Sequence, residues 1–188
     1  MKNFPFDHNG QEFWYSRSCT SVAFVFARSR ETGEWYVLAN KRGKNAPSCK
    51  GMWNVPCGYL DFGERIREAA AREAYEETGI KVPVSCLRFF HMNDKPTGQK
   101  QNIAFLHFGI LNDYIEDLPC NLDHMEPGEV EEAKWIPIFQ LKNYKWAYQH
   151  YTKIMVVYDT FVNIPWYKKL WLNFVWKITD HYNNIYTD

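Results

Sequence analysis

The chain has no excess of charge and no long apolar run. Its 188 residues include 22 basic and 22 acidic side chains, so the formal net charge is zero. A neutral chain has no general attraction for duplex DNA or RNA, although a local basic cluster is enough to bind a nucleotide. No stretch resembles a membrane span or the apolar region of a signal peptide. We therefore expect a cytoplasmic protein with no membrane span and no duplex nucleic acid partner.

Paired cysteine motifs, internal repeats and low-complexity tracts are also missing. The five cysteines, at positions 19, 49, 57, 86 and 120, are odd in number and show no C-x-x-C spacing. This pattern indicates neither a disulfide framework nor a zinc site, and we expect reduced thiols. A chain of 188 residues is long enough for one domain with a sizeable core.

The most informative stretch is residues 58–80, GYLDFGERIREAAAREAYEETGI. Residues 64–78 are rich in Ala, Glu and Arg and contain no Gly or Pro, which predicts a helix. Gly79 follows where a left-handed residue usually ends a helix, and glycine takes that conformation without a Cβ clash. The polar residues of this helix therefore have a predictable spacing on its surface.

Three carboxylates share one strip of the predicted helix. Glu73 and Glu77 lie one turn apart, and Glu76 lies beside them. Like charges at this spacing repel by roughly 0.2–0.5 kcal/mol per pair. Arg72 relieves part of this repulsion, and a divalent cation would relieve far more, because Mg²⁺ prefers oxygen ligands and bridges carboxylates to substrate phosphates. The alternative for a Glu-rich helix is a solvated acidic surface.

The stretch resembles the Nudix box, GX5EX7REUXEEXGU, in which U is an aliphatic residue. The matching positions are Gly58, Glu64, Arg72, Glu73, Ala74, Glu76, Glu77, Gly79 and Ile80. The resemblance implies a loop–helix–loop that binds Mg²⁺ or Mn²⁺. It also implies hydrolysis of a nucleoside diphosphate linked to another group, which makes a small nucleotide the expected partner.

The resemblance also assigns roles to individual residues. Glu73, Glu76 and Glu77 are the expected metal ligands, together with the backbone carbonyl of Cys57, which comes just before the box. General chemistry agrees with these roles, because metal ions neutralise diphosphate charge and lower the pKa of a bound water, and a spare carboxylate can take its proton.

Two further roles come from the box, and one comes from a loop after it. Arg72 is expected to orient a glutamate through an ion pair, and Glu64 to be a further ligand or part of the water network. In several members of the family a later loop carboxylate is the catalytic base or another metal contact. The candidates here are Glu126, Glu129, Glu131 and Glu132. We favour Glu129 as the base and expect most of the others to be solvated acids.

The segments around the box predict a mixed α/β fold. Runs of β-branched and aromatic residues at 18–29, 35–40, 82–93 and 101–111 predict strands, residues 129–141 predict a short strand followed by the start of a helix, and residues 1–17 suggest an arm or a first strand pair. Pro56 argues against a continuous central strand before the box. By resemblance we expect a Nudix-type α/β/α sandwich with a mixed sheet. The single domain would span 1–188, with a core at 18–141 and a helical C-terminal extension at 142–188.

A basic cluster precedes the box in a loop broken by Gly43 and Pro47. Its members are Lys41, Arg42, Lys44 and Lys50. Such a cluster either grips phosphates or keeps a loop solvated, and the sequence favours neither interpretation.

The substrate and two functions of other classes stay open. An ADP-ribose-like compound, a dinucleotide and a nucleoside triphosphate all fit the resemblance. Pro96 lies where the family associates a proline with ADP-ribose hydrolysis, but a hairpin-loop proline beside Thr97 and Gly98 is the preferred interpretation. No SQPWPFP-like segment, associated with NADH hydrolysis, follows the box. The alternatives are a ligand-sensing regulator with a Nudix-like domain and a non-catalytic nucleotide-binding module, and the intact acidic strip opposes both.

The C-terminal part lies outside the resemblance. Residues 146–162 predict a helix, and residues 165–182 predict a second, amphipathic one rich in Trp, Tyr and Phe. An exposed aromatic stripe of this size would promote aggregation. We therefore expect it to be buried on its own core or across a homodimer interface, with the homodimer preferred.

Overall fold

A computed structural model of the protein describes residues 4–15, 17–95, 102–123, 128–165, 167–168, 170–172 and 175. Its β-strands are β1 (Phe4–His8), β2 (Gln11–Tyr15), β3 (Cys19–Arg28), β4 (Trp35–Arg42), β5 (Trp53–Asn54), β6 (Cys57–Tyr59), β7 (Arg88–Asn93), β8 (Ile103–Tyr114) and β9 (Val130–Pro137). Its α-helices are α1 (Ile66–Thr78) and α2 (His150–Val157). Short 3₁₀ segments lie at Val84–Cys86, Ile115–Asp117 and Ile138–Asn143, and α2 continues into a π-helical segment, Tyr158–Val162.

Strand β3 is the centre of a seven-stranded mixed sheet. It pairs antiparallel with β4 and β6 and parallel with β8. The sheet order is β5-β4-β3-β8-β7, with β6 added on β3 and β9 on β4. Strands β1 and β2 form a separate antiparallel hairpin. The predicted mixed sheet is confirmed.

The sheet separates two apolar layers, one for each helix. Successive side chains of a strand point to opposite faces, and β3 is buried on both. One layer joins β3 to α2 through Val22, Phe24, Phe26, Ile154 and Val157. The other joins β3 to α1 through Ala23, Val25, Ala70 and Ala74. The α/β/α arrangement expected from the sequence is therefore confirmed, and the small alanines let α1 approach the sheet closely.

Pro56 divides the segment before α1 into two short strands. Trp53–Asn54 pairs with β4, and Cys57–Tyr59 pairs with β3. Between them, the Pro56 carbonyl oxygen accepts the Ala23 N–H at 2.9 Å. The chain thus changes its partner strand at the proline, which lacks an N–H to continue a ladder. This change brings β6 beside α1.

Both helices begin later than the sequence predicts. Helix α1 begins at Ile66 because Arg65 is extended (φ −82°, ψ 149°) and its N–H donates to Glu68 Oε2 at 2.9 Å. The predicted start of the second helix at 146 is wrong. It begins at His150, because Tyr148 (φ 53°) and Gln149 (φ 59°) are both left-handed.

The amphipathic segment predicted at 165–182 lies mostly outside the described residues, and Pro96 lies outside them entirely. Residues 167–168, 170–172 and 175 are helical. The exposed fractions of Tyr167, Leu170 and Trp171 are 56%, 61% and 65%. No helix in the described part of the chain is long and apolar enough to cross a membrane.

The end of α1 generates a test of the fold. Gly79 has φ +77°, and a Cβ there would lie 2.5 Å from the Asn121 backbone oxygen, whereas Gly33 has φ +71° and open space around it. Both Gly→Ala changes incur the left-handed cost of about 1–2 kcal/mol. We expect Gly79→Ala to lower the free energy of unfolding by at least about 1 kcal/mol more than Gly33→Ala, because the Asn121 backbone must also shift. Urea unfolding of both variants measures the difference, and equal losses would contradict the packing of residues 118–121 against α1.

Candidate metal and catalytic site

Helix α1 carries the acidic strip, and local contacts define its ends. Glu68 accepts the Arg65 N–H at the start, and the Gly79 N–H donates to the Tyr75 carbonyl at 2.7 Å at the end. The helix packs on the sheet through three fully buried alanines, Ala69, Ala70 and Ala74. The face that bears the glutamates is therefore held in a defined direction relative to β3 and β6.

The Arg72 guanidinium is the centre of a hydrogen-bond network on this helix. Its Nε and Nη2 atoms donate to the two carboxylate oxygens of Glu64 at 2.9 and 3.1 Å. Its Nη1 atom donates to Glu73 Oε1 at 2.8 Å and to Glu76 Oε2 at 2.7 Å, and Nη2 also donates to the Tyr59 carbonyl at 2.8 Å. The hydrogen bonds between Arg72 and Glu64 raise the pKa of Arg72 and lower the pKa of Glu64. The Arg72 side chain thus orients three glutamates.

Two carboxyl groups of the strip are buried near each other. Glu77 is 7% exposed. Burial raises the pKa of Glu73 to about 7, against the lowering effect of Arg72, and the charges of Glu76 and Glu129 add to the rise. Burial, followed by the negative charge of Glu73, raises the pKa of Glu77 well above its ordinary value. The site therefore holds negative charge that Arg72 compensates only in part.

Strand β6 lies against these two glutamates. The Cys57 N–H donates to Glu77 Oε2 at 3.0 Å. A Cβ at Gly58 would overlap the Glu73 carboxylate, so glycine leaves room for that group. Burial, followed by the Glu77 charge, raises the pKa of the Cys57 thiol to about 12. A thiol that stays protonated is a poor metal ligand, which argues against the sulfur of Cys57, and its backbone carbonyl as a ligand stays a prediction.

Glu129 reaches the same place from a distant part of the sequence. The Gly43 N–H donates to the Glu129 carbonyl at 2.7 Å, and the Asn45 N–H donates to the Gly128 carbonyl at 2.8 Å. A Cβ at Gly43 would overlap the Gly128 carbonyl, so this close approach requires glycine. The Glu129 charge acts on both Glu73 and Glu77. The loop before β9 thus supplies a third carboxylate to the site.

These carboxylates border a cavity of ≈ 550 Å³ that also contains cations. Its basic lining residues are Arg42, Lys95 and Lys153. Arg42 is 8% exposed; its Nε donates to the Ser48 carbonyl at 2.8 Å, and its guanidinium lies 5.4 Å from the centre of the Tyr148 ring. In the described part of the chain, no carboxylate forms an ion pair with Arg42 or Lys153. The cavity thus contains both acids and bases, and Arg42 and Lys153 form no ion pair with a described carboxylate.

The donor set fits a divalent cation that prefers oxygen ligands. Glu73, Glu77 and Glu129 border one cavity, and burial followed by neighbouring negative charges raises the pKa values of the first two, so a bound cation would favour their charged forms. Among the described residues, no three His, Cys, Asp or Glu side chains are already clustered closely enough to hold an ion. Glu76, an expected ligand, instead bonds to Arg72, and half of its side chain (50%) is exposed. Its role as a ligand stays a prediction.

The other loop acids are arranged differently from Glu129. Glu131 forms an ion pair with Lys41 at 2.7 Å, and Glu132 forms one with Lys134 at 2.8 Å, both at the surface. Glu126 lies outside the described residues. Of the three candidate bases that the structure describes, Glu129 is the one at the cavity.

The sequence analysis did not identify several cavity residues, and three of them lie beyond the segment that resembles the family. Tyr148, His150 and Lys153 come from α2 and the turn before it. In the sequence, this segment shows only the periodicity of a packed helix. No local signal indicates that its first turn borders a polar cavity, because that depends on how α2 packs against β3.

Comparison with known proteins gives one family. A model of the NUDIX domain matches residues 19–155. The RNA pyrophosphohydrolase of Novosphingobium aromaticivorans is 31% identical over 141 aligned residues, which cover 66% of this chain and 80% of that protein. Nudix hydrolase 6 of Arabidopsis thaliana is 35% identical over 98 residues, which cover 51% of this chain. This chain spans only about a third (32%) of that protein.

A solved structure has the same fold. The NUDIX domain of Shewanella oneidensis NrtR, determined with ADP ribose, superimposes with a TM-score of 0.62 over 77% of this chain and 88% of that one. The two sequences are 18% identical. This similarity concerns the arrangement of the sheet and helices.

The pKa of Glu73 predicts how the metal-free protein responds to pH. The pKa is about 7 in the folded state against an ordinary 4.5. The contribution of this group to stability is therefore complete below pH 4.5 and is lost as the pH rises through 7. Glu73→Gln removes this titration. In chelator, we expect the variant to gain on the order of 3 kcal/mol in free energy of unfolding relative to the parent between about pH 4 and pH 8.

Urea unfolding across this pH range measures the difference, and Glu131→Gln is the control. Glu131 is exposed and paired with Lys41, so its replacement removes a charge without changing the buried cluster. If Glu73→Gln and Glu131→Gln have parallel pH profiles, Glu73 does not titrate as its burial requires.

Proposed function

This chain belongs to the Nudix family, and we propose that it is a metal-dependent hydrolase that cleaves the pyrophosphate linkage of a nucleoside diphosphate derivative. The observation that carries the proposal is the mixed charge of the cavity. Glu73, Glu77 and Glu129 border it together with Arg42 and Lys153. A diphosphate bound through a divalent cation would neutralise both sets of charges at once.

The buried cation Arg42 supports a phosphate-containing ligand. A charge removed from water is costly unless it is paired. The Nε atom of Arg42 is bonded to Ser48, and its guanidinium contacts the Tyr148 ring. Because no carboxylate in the described residues pairs with it, a phosphate oxygen is the partner that its planar fork accommodates best. Of the basic cluster before the box, Arg42 is therefore the member that we assign to the substrate.

We assign the metal to the carboxylates of α1. Glu73 and Glu77 would hold Mg²⁺ or Mn²⁺, with the Cys57 carbonyl and Glu76 as further ligands. When bound, such an ion neutralises diphosphate charge and lowers the pKa of a bound water. Arg72 keeps Glu73 in place through its 2.8 Å hydrogen bond.

The chemical step that we propose uses one water and one carboxylate. The water oxygen attacks a phosphorus atom of the diphosphate, and the bond from this phosphorus to the bridging oxygen breaks. The bridging oxygen leaves with the other phosphate. Glu129, which borders the cavity, accepts the proton that the water gives up. Glu64 acts through Arg72, which it binds with both carboxylate oxygens.

The relatives suggest which substrates to test. One relative is an RNA pyrophosphohydrolase, and one NUDIX domain of the same fold was solved with ADP ribose. A useful panel therefore contains ADP ribose, a dinucleoside polyphosphate, nucleoside triphosphates and a short single-stranded 5′-triphosphate RNA. Release of phosphate, pyrophosphate or a nucleoside monophosphate identifies the bond that is cleaved. The absence of turnover of every compound would instead favour a non-catalytic nucleotide-binding module.

We also propose a single domain with a core at 18–141 and a helical extension at 142–188, a cytoplasmic location and a homodimer. All five cysteines are free, as expected in a reducing compartment. The exposed Tyr167, Leu170 and Trp171 form an apolar surface on the single chain, and a second copy would cover it.

Glu77→Gln tests the assignment of the metal site. We expect it to lower turnover by at least ~10²-fold, because it removes a charged oxygen from a metal-dependent step. The fold should persist, because Gln has the same shape and burial already disfavours the charged form of Glu77. Steady-state kinetics with saturating Mg²⁺ and thermal unfolding measure both effects. Glu131→Gln should retain parental turnover, and a Glu77→Gln variant as active as the parent would refute the assignment.

Removal of the metal gives an independent test. Activity should vanish in EDTA and return with Mg²⁺ or Mn²⁺. Mg²⁺ should also raise the thermal midpoint of the parent but not that of Glu77→Gln, because a ligand that binds only the folded state stabilises it. Full activity in chelator would refute the metal-dependent mechanism.

A further inference from the structure

The cavity has a second wall, which comes from α2 rather than from the Nudix box. Helices α1 and α2 pack against opposite faces of the sheet, yet residues of both border the cavity. From α2 these are His150 and Lys153, which are three residues apart and so share one face of the helix. The wall is therefore supplied independently of the carboxylates.

His150 has one hydrogen-bonding atom engaged and one available. The side chain is 2% exposed, and its Nδ1 accepts the Val55 N–H at 3.1 Å. An imidazole nitrogen that accepts an N–H carries no proton, so the neutral ring has its proton on Nε2. In the described part of the chain, Nε2 donates to no acceptor. His150 thus brings an unused N–H donor to the cavity.

Lys153 brings an unpaired positive charge to the same wall. Its side chain is partly buried, and burial lowers its pKa. No carboxylate among the described residues forms an ion pair with it. Its charge and that of Arg42 both act on His150, so each lies within electrostatic range of that ring. The charge of Arg42 also acts on Glu77, but among the described residues no ion pair occupies Arg42 or Lys153, so both are available to bind an anion.

The turn before α2 is strained and firmly held. Tyr148 and Gln149 are both left-handed, at φ 53° and 59°, although neither is glycine. The Tyr148 hydroxyl is 2.6 Å from Ser48 Oγ, and its ring centre lies 5.6 Å from that of His150. Strain of this kind persists where the surrounding structure fixes it, and it clusters at ligand sites. Here it sets the position at which α2 begins and therefore the position of His150.

We propose that Lys153 and the Nε2–H of His150 bind oxygen atoms of a substrate phosphate from the side of the cavity that α2 supplies. The proposal rests on the proposed function, and it identifies the element that recognises the diphosphate in addition to the metal site. It implies that compounds with a diphosphate bind through α2, whereas an uncharged nucleoside does not.

The first experiment measures binding rather than hydrolysis. Inorganic pyrophosphate and, separately, adenosine are titrated by calorimetry into the parent protein, Lys153→Ala and Lys145→Ala, in chelator and again with Mg²⁺. Lys145 is the matched control because its side chain is exposed and does not line the cavity. We expect Lys153→Ala to weaken pyrophosphate binding by about tenfold or more, the loss typical of a charged hydrogen bond. Lys145→Ala should bind as the parent does.

A pair of variants separates the binding role of His150 from its structural role. His150 also packs edge-on against Phe24, at a ring-centre distance of 5.7 Å, and accepts the Val55 N–H. In His150→Asn, the amide oxygen can replace Nδ1, so the bond to Val55 is kept and the cavity donor is lost. In His150→Gln, the amide nitrogen approximates Nε2, so the donor is kept and the bond to Val55 is lost.

We expect His150→Asn to keep its thermal midpoint and to bind pyrophosphate several-fold more weakly. His150→Gln should lose stability and keep most of its affinity. The reverse pattern would show that His150 has only a structural role and would overturn its part in the proposal.

The outcomes separate this proposal from the proposed function. Pyrophosphate binding that depends on Lys153 supports the proposal even if no compound is hydrolysed. A parent that binds no pyrophosphate under either condition overturns it, and so does a Lys153→Ala variant that binds within twofold of the parent. If hydrolysis is lost in Glu77→Gln but unchanged in Lys153→Ala, the proposed function is supported and the role of α2 in phosphate binding is refuted.

Discussion

The burial of several carboxylates beside one arginine is the constraint on which the site depends. Arg72 donates hydrogen bonds to Glu64, Glu73 and Glu76. These bonds fix the glutamates but do not neutralise Glu77, which is buried and bonded to the Cys57 N–H. Like charges held together away from water raise each other's pKa and make a bound cation favourable. The rest of the fold keeps this unfavourable arrangement in place.

Three backbone features allow the carboxylates to approach one another. The change of partner strand at Pro56 brings β6 beside α1. Gly58 leaves room for the Glu73 carboxylate, and Gly43 lets the loop that carries Glu129 approach within hydrogen-bonding distance. Each feature is short and local, yet together they join segments that are far apart in the sequence, such as those of Gly43 and Glu129. A bulkier residue at either glycine would separate groups that must share a cavity.

The sheet also explains why basic and acidic groups border one cavity. Strand β3 is buried on both faces, so α1 and α2 lie on opposite sides of it, and both extend to the same cavity. Helix α1 and the loop before β9 supply Glu73, Glu77 and Glu129, whereas α2 and the end of β4 supply Lys153 and Arg42. This division suits a ligand that carries both a metal ion and phosphate oxygens. A solvated acidic helix, the simpler interpretation of the sequence, does not account for Arg42 and Lys153.

The sequence alone determined the features that depend on short separations. The body of α1, its end at Gly79 and the reach of Arg72 to Glu73 and Glu76 all follow from helical spacing over one or two turns. The strand segments and the mixed sheet followed from apolar patterning together with the family resemblance.

Tertiary structure decided which acids are buried. Glu77 and Glu76 are adjacent in sequence, but the first faces β6 and the second faces Arg72 and solvent. Tertiary structure also decided that α2 begins at His150 and borders the cavity. These outcomes depend on packing between distant segments, and no periodicity within either segment encodes that packing.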